Sequence, residues 1–426
     1  MNNKDTLIWD PEQREGMVAK TVAFLISPVL GMLTAFVHPN TKSSFLILML
    51  SFMTIGLTMD VPDERTETLN FDSTTYRHTF ENYAEYNSSD FTSAITSYAD
   101  MSEEAATDIY AGLVYYFVSR FTDNYHACFM VIAAVFAFFM LQSLRYLVAE
   151  SDYRFSFICL LLLFLFTMAQ IDKINMFRFY TAYWMAIYAL FKLIIEGDKR
   201  YWFLLAATPA VHASFLIIFG IYLLYAIMRD RQNFSVIVVL TMMVFSSVSV
   251  EVFSWLTMHL PGNLGSHYGS YLNEWYMQKI NESGTGFKWV VRLMEAAVRW
   301  SMNIITLFFA ITYRSHIEKT KSKNIYFFLL ALMAFVDFTF MIPSVGSRFF
   351  MIAFPLIAYI WMVSYAKDSR YNILIFAFTG MYLLFFFVLP WNIYQIPCFA
   401  HYLKLWHIDS VVLSPVYLFL KYLAGG

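Results

Sequence analysis

The sequence predicts an all-α, polytopic integral membrane protein with about eleven to thirteen transmembrane or re-entrant helices. Three observations predict it. Hydrophobic residues make up 59% of the chain and charged residues 14%, with a mean hydropathy of +0.53, whereas a soluble domain carries roughly a quarter charged residues. Apolar runs of bilayer-crossing length recur along the whole 426 residues. Lys and Arg gather in short connections between those runs while one long connection is acidic, the asymmetry that orients membrane proteins.

Taken in order, residues 1–16 are polar with mixed charge, and the first apolar run is about a full span. It reads as a retained anchor rather than a cleaved signal peptide. Runs near 17–37 and 44–59, separated by His38–Ser43, form a first helix pair. Residues 60–108 hold twelve Asp and Glu against two Arg and no long apolar run, which predicts an acidic extracytoplasmic loop. Asp108–Thr122 is short and amphipathic, suited to the interface. Spans follow near 124–148, 155–170 and 176–196, with Arg145, Arg154, Lys192, Lys199 and Arg200 on the cytoplasmic side.

The run 201–228 decides the topology. It is flanked by Lys199 and Arg200 at one end and by Arg229 and Arg231 at the other. A single crossing would place one basic end outside and invert everything downstream, including Arg314, His316, Lys319, Lys321, Lys323, Lys367 and Arg370. A broken or re-entrant hairpin turning near Pro209–Ser214 keeps every basic cluster inside. Proline supplies the break by removing a backbone donor. The tip, with His212 on it, must then be buried in protein or line a cavity. Further spans are expected near 234–256, 289–313, 325–341, 349–366 and 371–389. An extracytoplasmic loop lies at 257–288, and another short span at 408–423. The whole of 1–426 reads as a single helical membrane domain, without an internal repeat.

Ionisable residues at membrane depth are costly and mark functional paths. Arg178 opens one apolar helix and His212 sits in the next apolar stretch. Arg292, Glu295 and Arg299 are spaced by three and four, hence on one helical face. Arg348 follows a Gly-containing turn in PSVGSRFF. Arginine stays charged and grips phosphate oxygens bidentately, so arginines near the outer half of the membrane suggest a multiply charged anion such as a lipid pyrophosphate. Plainer readings stand beside this one. Arg292 or Arg299 pairs with Glu295; Arg348 snorkels to headgroups; His212 is a hydrogen-bonded core histidine; Asp172 neutralises Arg178. His126, His259, His267, His401 and His407 read as structural, and Asp72 and Tyr76 as surface residues.

Other chemistry has no foothold. A net charge of −2 and the lack of a basic, aromatic-interleaved run exclude a nucleic-acid partner. Cys128, Cys159 and Cys398 are isolated, without metal or disulfide spacing. There is no phosphate-cradling Gly-rich loop, HExxH or nucleophile elbow, and no Asp-rich cluster for a metal-held nucleotide sugar. The expectation is no metal and no cofactor. The cytoplasmic loops are too short for a nucleotide-binding domain, so any donor arrives already activated from outside.

Three patches resemble the EpsG family of Wzy-type polysaccharide polymerases. FDSTTYRHTF (Phe71–Phe80) resembles the family's Asp-x-x-x-Tyr-x-x-x-Phe stretch, RFYTA (Arg178–Ala182) its Arg-Gln-x-x-Ala, and AVHAS (Ala210–Ser214) its His-x-Ser. Order and spacing match over residues 45–230; beyond them only general hydropathy and the Gly-x-Arg-Phe at 346–349 fit. Phe179 stands where the family usually has Gln, so substrate detail carried by that Gln is in doubt.

The resemblance implies a GT-C-like membrane glycosyltransferase. It would join oligosaccharide repeat units carried on undecaprenyl pyrophosphate at the outer face of the bacterial inner membrane, for O antigen, capsule or exopolysaccharide. Membrane lipids and a chain-length regulator protein are the implied partners. Arg178 and His212 would be catalytic. Arg178, Arg348, Arg292 and Arg299 would bind pyrophosphate, and Asp72, Tyr76, Ser214 and Glu295 sugar or acceptor. His212, a residue type that titrates near neutral pH, would be either general base or donor to the pyrophosphate. A lipid-linked oligosaccharide ligase, a flippase or other transporter, and an acyltransferase are the rival readings.

Overall fold

A computed structural model describes residues 16–37, 39, 41–64, 71–83, 85, 88–99, 108–149, 170–260, 262–273, 288–342, 345–366, 368–383 and 405–424. The described residues are helical and contain no strand. Among the described residues, four helices are long and apolar enough to cross a membrane: Tyr125–Val148, Gln232–Met258, Ala296–Ile317 and Lys323–Met341. At about 1.5 Å per residue each matches or exceeds a hydrocarbon core of about 30 Å. The chain is an integral membrane protein. The expected span 155–170 up to 169, Arg154, Cys159, residues 65–70, 100–107, 274–287 and 384–404 (with Cys398 and His401), His38, Pro343 and Lys367 lie outside the described residues.

The chain divides into two compact units. The first comprises Met1–Phe91, Tyr110–Trp184 and Ile396–Gly426; the second comprises Thr92–Ile109 and Met185–Gln395.

In the first unit the run expected near 17–37 is two helices, Met17–Ile26 and Pro28–Ala35. Ser27 is extended between them and accepts the Leu30 N–H on its hydroxyl, and Pro28 takes the first helical position, where its missing donor costs nothing. Lys42–Leu57 lies tightly on Tyr125–Ala149. A Cβ at Gly56 would fall 2.5 Å from Ala133 Cβ and from the Phe129 carbonyl oxygen, so only glycine permits this approach. Within the acidic segment the described residues form helix Asp72–Tyr83 in this unit and helix Ser88–Ala99, whose residues from Thr92 onward belong to the second unit. Both are too short and polar to register as spans, and the first buries Ser73, Thr74 and Phe80. The tail after 404 is not one span either. Asp409–Val412, Pro415–Phe419 and Leu420–Ala424 are short pieces, and the Trp406 indole N–H donates to the Ile55 carbonyl at 2.8 Å.

In the second unit, Lys323–Phe338 and Ala353–Ser364 are buried nearly all round, as expected of helices apolar on every face. Gln232–Met258 exposes Ile237, Leu240, Val244 and Val252, the surface of a lipid-facing helix. Trp202–Val211 and Ile217–Met228 fold back on each other: the Trp202 ring lies 4.7 Å from Tyr222. Pro209 does not make the break. It sits inside the first of these helices, and the Leu205 carbonyl that its absent N–H would have paired is taken by the Thr208 hydroxyl at 2.7 Å. The chain turns at His212, which is extended (φ −155°, ψ 117°), and continues as a 3-10 turn, Ala213–Leu216.

Candidate active site

Each unit holds a polar set built from the residues singled out in the sequence.

In the first unit, the 3-10 turn Ile171–Met176 runs straight into the helix Phe177–Ile194. The start of the Asp72–Tyr83 helix docks on it: the Ser73 N–H donates to Asn175 Oδ1 at 3.0 Å, and the Tyr76 ring packs edge-on to Phe177 at 4.8 Å. That docking brings Arg178 to Tyr76. The guanidinium Nε donates to the Tyr76 hydroxyl at 3.3 Å, across 102 residues of sequence. Asp72, in the first turn of its helix, is exposed. Asp172 pairs with Lys173 at 2.8 Å, with both side chains nearly buried. Phe179 is buried and packs against Tyr180.

In the second unit, His212 closes the tip of the folded-back helices. Its Nδ1 accepts the Ser214 N–H at 3.3 Å. Helix Gly262–Gly269 and the turn Ser270–Leu272 cover this tip. The Tyr268 hydroxyl donates to the Ala213 carbonyl at 2.8 Å, satisfying backbone that the break would otherwise leave bare. Burial, with Tyr271 adding a smaller effect, pushes the Tyr268 phenol well above the usual tyrosine range, so it stays a donor. Ser214 Oγ lies 3.4 Å from His267 Nε2 and 3.2 Å from the Tyr271 hydroxyl.

The short helix Val345–Phe350, which carries Arg348, stands beside the same tip. Phe349 packs on Phe215 at 5.5 Å, and Val345 shares an apolar cluster with Tyr268 and Tyr271. Gly346 allows this: a Cβ there would meet the Thr339 carbonyl oxygen at 2.9 Å. Arg299, on Lys288–Thr312, has its Nε 3.0 Å from Asp337 Oδ1 and its guanidinium 3.8 Å above the Phe340 ring. Asn303 donates to the same carboxylate oxygen at 3.0 Å. Its ion-pair partner is therefore Asp337 of another helix. Arg292 and Glu295 lie on the Arg299 helix, and their side chains are outside the described residues.

Sequence reasoning missed Lys173, Asn175, Tyr271 and Asp337, and it set His267 aside as structural. None belongs to a periodic face or motif, and His267 sits in what reads as a loop. The only available signal was polarity close to an apolar run.

The family model for the EpsG family matches residues 45–402. The chain belongs to the EpsG family. Its members are Wzy-like polymerases, and the match extends well past the patches that carry the resemblance in the sequence, through residues 257–288 and Arg348. No curated protein and no solved structure matches the chain. For an EpsG-family protein the assignment points to a polysaccharide polymerase, a glycosyltransferase-like activity.

Proposed function

We propose that this EpsG-family protein joins undecaprenyl-pyrophosphate-linked oligosaccharide repeat units at the outer face of the bacterial inner membrane, by metal-independent glycosyl transfer on a GT-C-like scaffold. The observation that carries the reading is the Arg178–Tyr76 contact, in which two motif patches distant in sequence form one cationic, hydroxyl-bearing site. Pyrophosphate is already a good leaving group, so the protein's task is to stabilise the charge that grows on it. Fixed cations in a water-poor setting do that most effectively.

Arg178 and Arg348 take this role, with Arg292 in support. Arg299, held by Asp337, contributes through the network it anchors. Asp72, Tyr76, Ser214 and Glu295 meet sugar or acceptor, and His212 takes part in the chemistry. A chain-length regulator is the protein partner this activity calls for.

The test is chain growth by the purified protein in liposomes supplied with lipid-linked repeat units. Arg178→Ala and His212→Ala should each lower elongation by about 100-fold or more, with the fold intact. Near wild-type polymer from both variants, or movement of labelled lipid across the bilayer without chain growth, overturns the reading.

A further inference from the structure

The two histidines at the helix-pair tip are placed for different tasks. His212 accepts the Ser214 backbone N–H on Nδ1. A ring nitrogen that accepts a backbone N–H carries no proton, so the neutral imidazole bears its hydrogen on Nε2. Protonating Nδ1 would break the contact that closes the turn. His212 is thus built as a donor. His267 meets Ser214 from the covering helix instead, with its Nε2 3.4 Å from the hydroxyl oxygen, and the His212 and His267 rings are 6.2 Å apart. Tyr271, 3.2 Å from the same oxygen, can donate to it and leave the serine hydrogen to point at His267. These are long bonds, of the kind that shorten as substrate arrives.

We infer, on the reading proposed above, that the tip divides the work: His212 keeps its proton and donates a hydrogen bond from Nε2–H to the departing pyrophosphate, and His267 accepts the acceptor's proton through Ser214. The acceptor oxygen forms its bond to the anomeric carbon as the anomeric carbon–oxygen bond to pyrophosphate breaks, and that electron pair leaves on the phosphate oxygen. The acceptor's proton passes to Ser214 Oγ while Ser214 gives its own to His267 Nε2. The imidazolium then releases it to water. His212, Tyr268 and Tyr271 are titratable groups that face His267, and the two phenols serve as donors in this scheme. His267 is a positioning residue, because it reaches the acceptor only through the serine.

The experiment follows elongation by the full-length protein from about pH 5 to about pH 9, the range in which imidazole titrates. The wild-type turnover should rise with pH as the accepting imidazole loses its proton. His267→Gln should lower turnover by about 100-fold, abolish that acid limb and leave the KM for lipid-linked donor within about threefold. His212→Gln, whose amide N–H can stand in for Nε2–H, should keep the limb and more activity than His212→Asn. An acid limb that persists in His267→Gln, or that disappears in His212→Gln, overturns the inference. If His267→Gln does not fold, Ser214→Ala and Ser214→Thr decide: the limb should vanish with alanine and remain with threonine, and a limb unchanged in Ser214→Ala overturns it. A wild-type protein that elongates nothing sinks the polymerase reading itself, and this inference with it.

Discussion

Arg299 and Asp337 show how a charge is held at membrane depth in the second unit. The Asp337 side chain is fully buried and that of Arg299 only 14% exposed, and Asn303 shares the carboxylate. Taking away one member of a buried pair leaves the other uncompensated, at a cost of about 3–5 kcal/mol. Arg299→Ala should therefore lower the thermal midpoint of the purified protein, and the double variant Arg299→Gln with Asp337→Asn should recover much of it. An Arg299→Ala protein with unchanged thermal stability and lost elongation would mean instead that the guanidinium serves substrate directly. The sequence places Arg299 four residues from Glu295, a possible partner on its own helix, because spacing reveals only local neighbours. A partner on a different helix leaves no trace in spacing, and the same limit hid the docking of Asn175 on the Ser73 N–H. Asp172 was legible as a carboxylate near Arg178, but its adjacent Lys173 takes it.

At the scale of elements, the folded-back helices 202–228 turn at His212, within the Pro209–Ser214 stretch that the sequence marks, but proline is not what breaks them. Proline was expected to end the first arm, but Thr208 supplies a hydroxyl to the orphaned Leu205 carbonyl and the helix runs on to Val211. Propensity was overridden by one side-chain hydrogen bond. Thr208→Val should strand that carbonyl in a buried setting and cost about 1–3 kcal/mol, whereas Pro209→Ala restores the backbone donor and should leave stability near wild type; thermal unfolding of the two variants in detergent compares them. Equal losses would mean that proline, not threonine, sets this helix. Two turns further along are built alike. Asp198 and Asp368 each cap a 3-10 turn, accepting the backbone N–H of Arg200 or Arg370 and pairing with its guanidinium. The arginine side chain, chiefly, holds the Asp368 carboxyl down to about 2 and lowers that of Asp198. Each turn follows a helix preceded or opened by an arginine, Arg178 or Arg348, a local repetition of Arg-Phe and Asp-x-Arg-Tyr that hydropathy alone conceals.

On the scale of the molecule, the charge rule makes a prediction that the second unit's contacts sharpen. Asp230 pairs with Lys323 at 2.5 Å, Ser322 meets Ser364 at 2.7 Å, and His316 stacks on Tyr365 at 4.9 Å. The turns carrying Arg229, Arg231, Arg314, Lys319, Lys321 and Lys323 thus share one end of this unit. The tip at His212 lies at the other end of the helix Ile217–Met228, whose 12 residues give a rise of about 18 Å. That is short of a hydrocarbon core of about 30 Å. Lys323–Met341, with 19 residues, is long enough to cross. The tip therefore needs protein over it, which the Tyr268 hydroxyl and the helix Gly262–Gly269 provide. With the basic end in the cytoplasm, single cysteines in a background lacking Cys128, Cys159 and Cys398 should divide cleanly when an impermeant thiol reagent is added to intact cells. Lys319→Cys and Arg314→Cys should stay unlabelled until the membrane is opened. Ser266→Cys, on the cover of the tip, and Asp90→Cys, in the acidic segment, should label from outside. Labelling of Arg314→Cys in intact cells would mean that residues 201–228 cross the membrane once, and would move the His212 tip to the wrong face for an acceptor that arrives from outside.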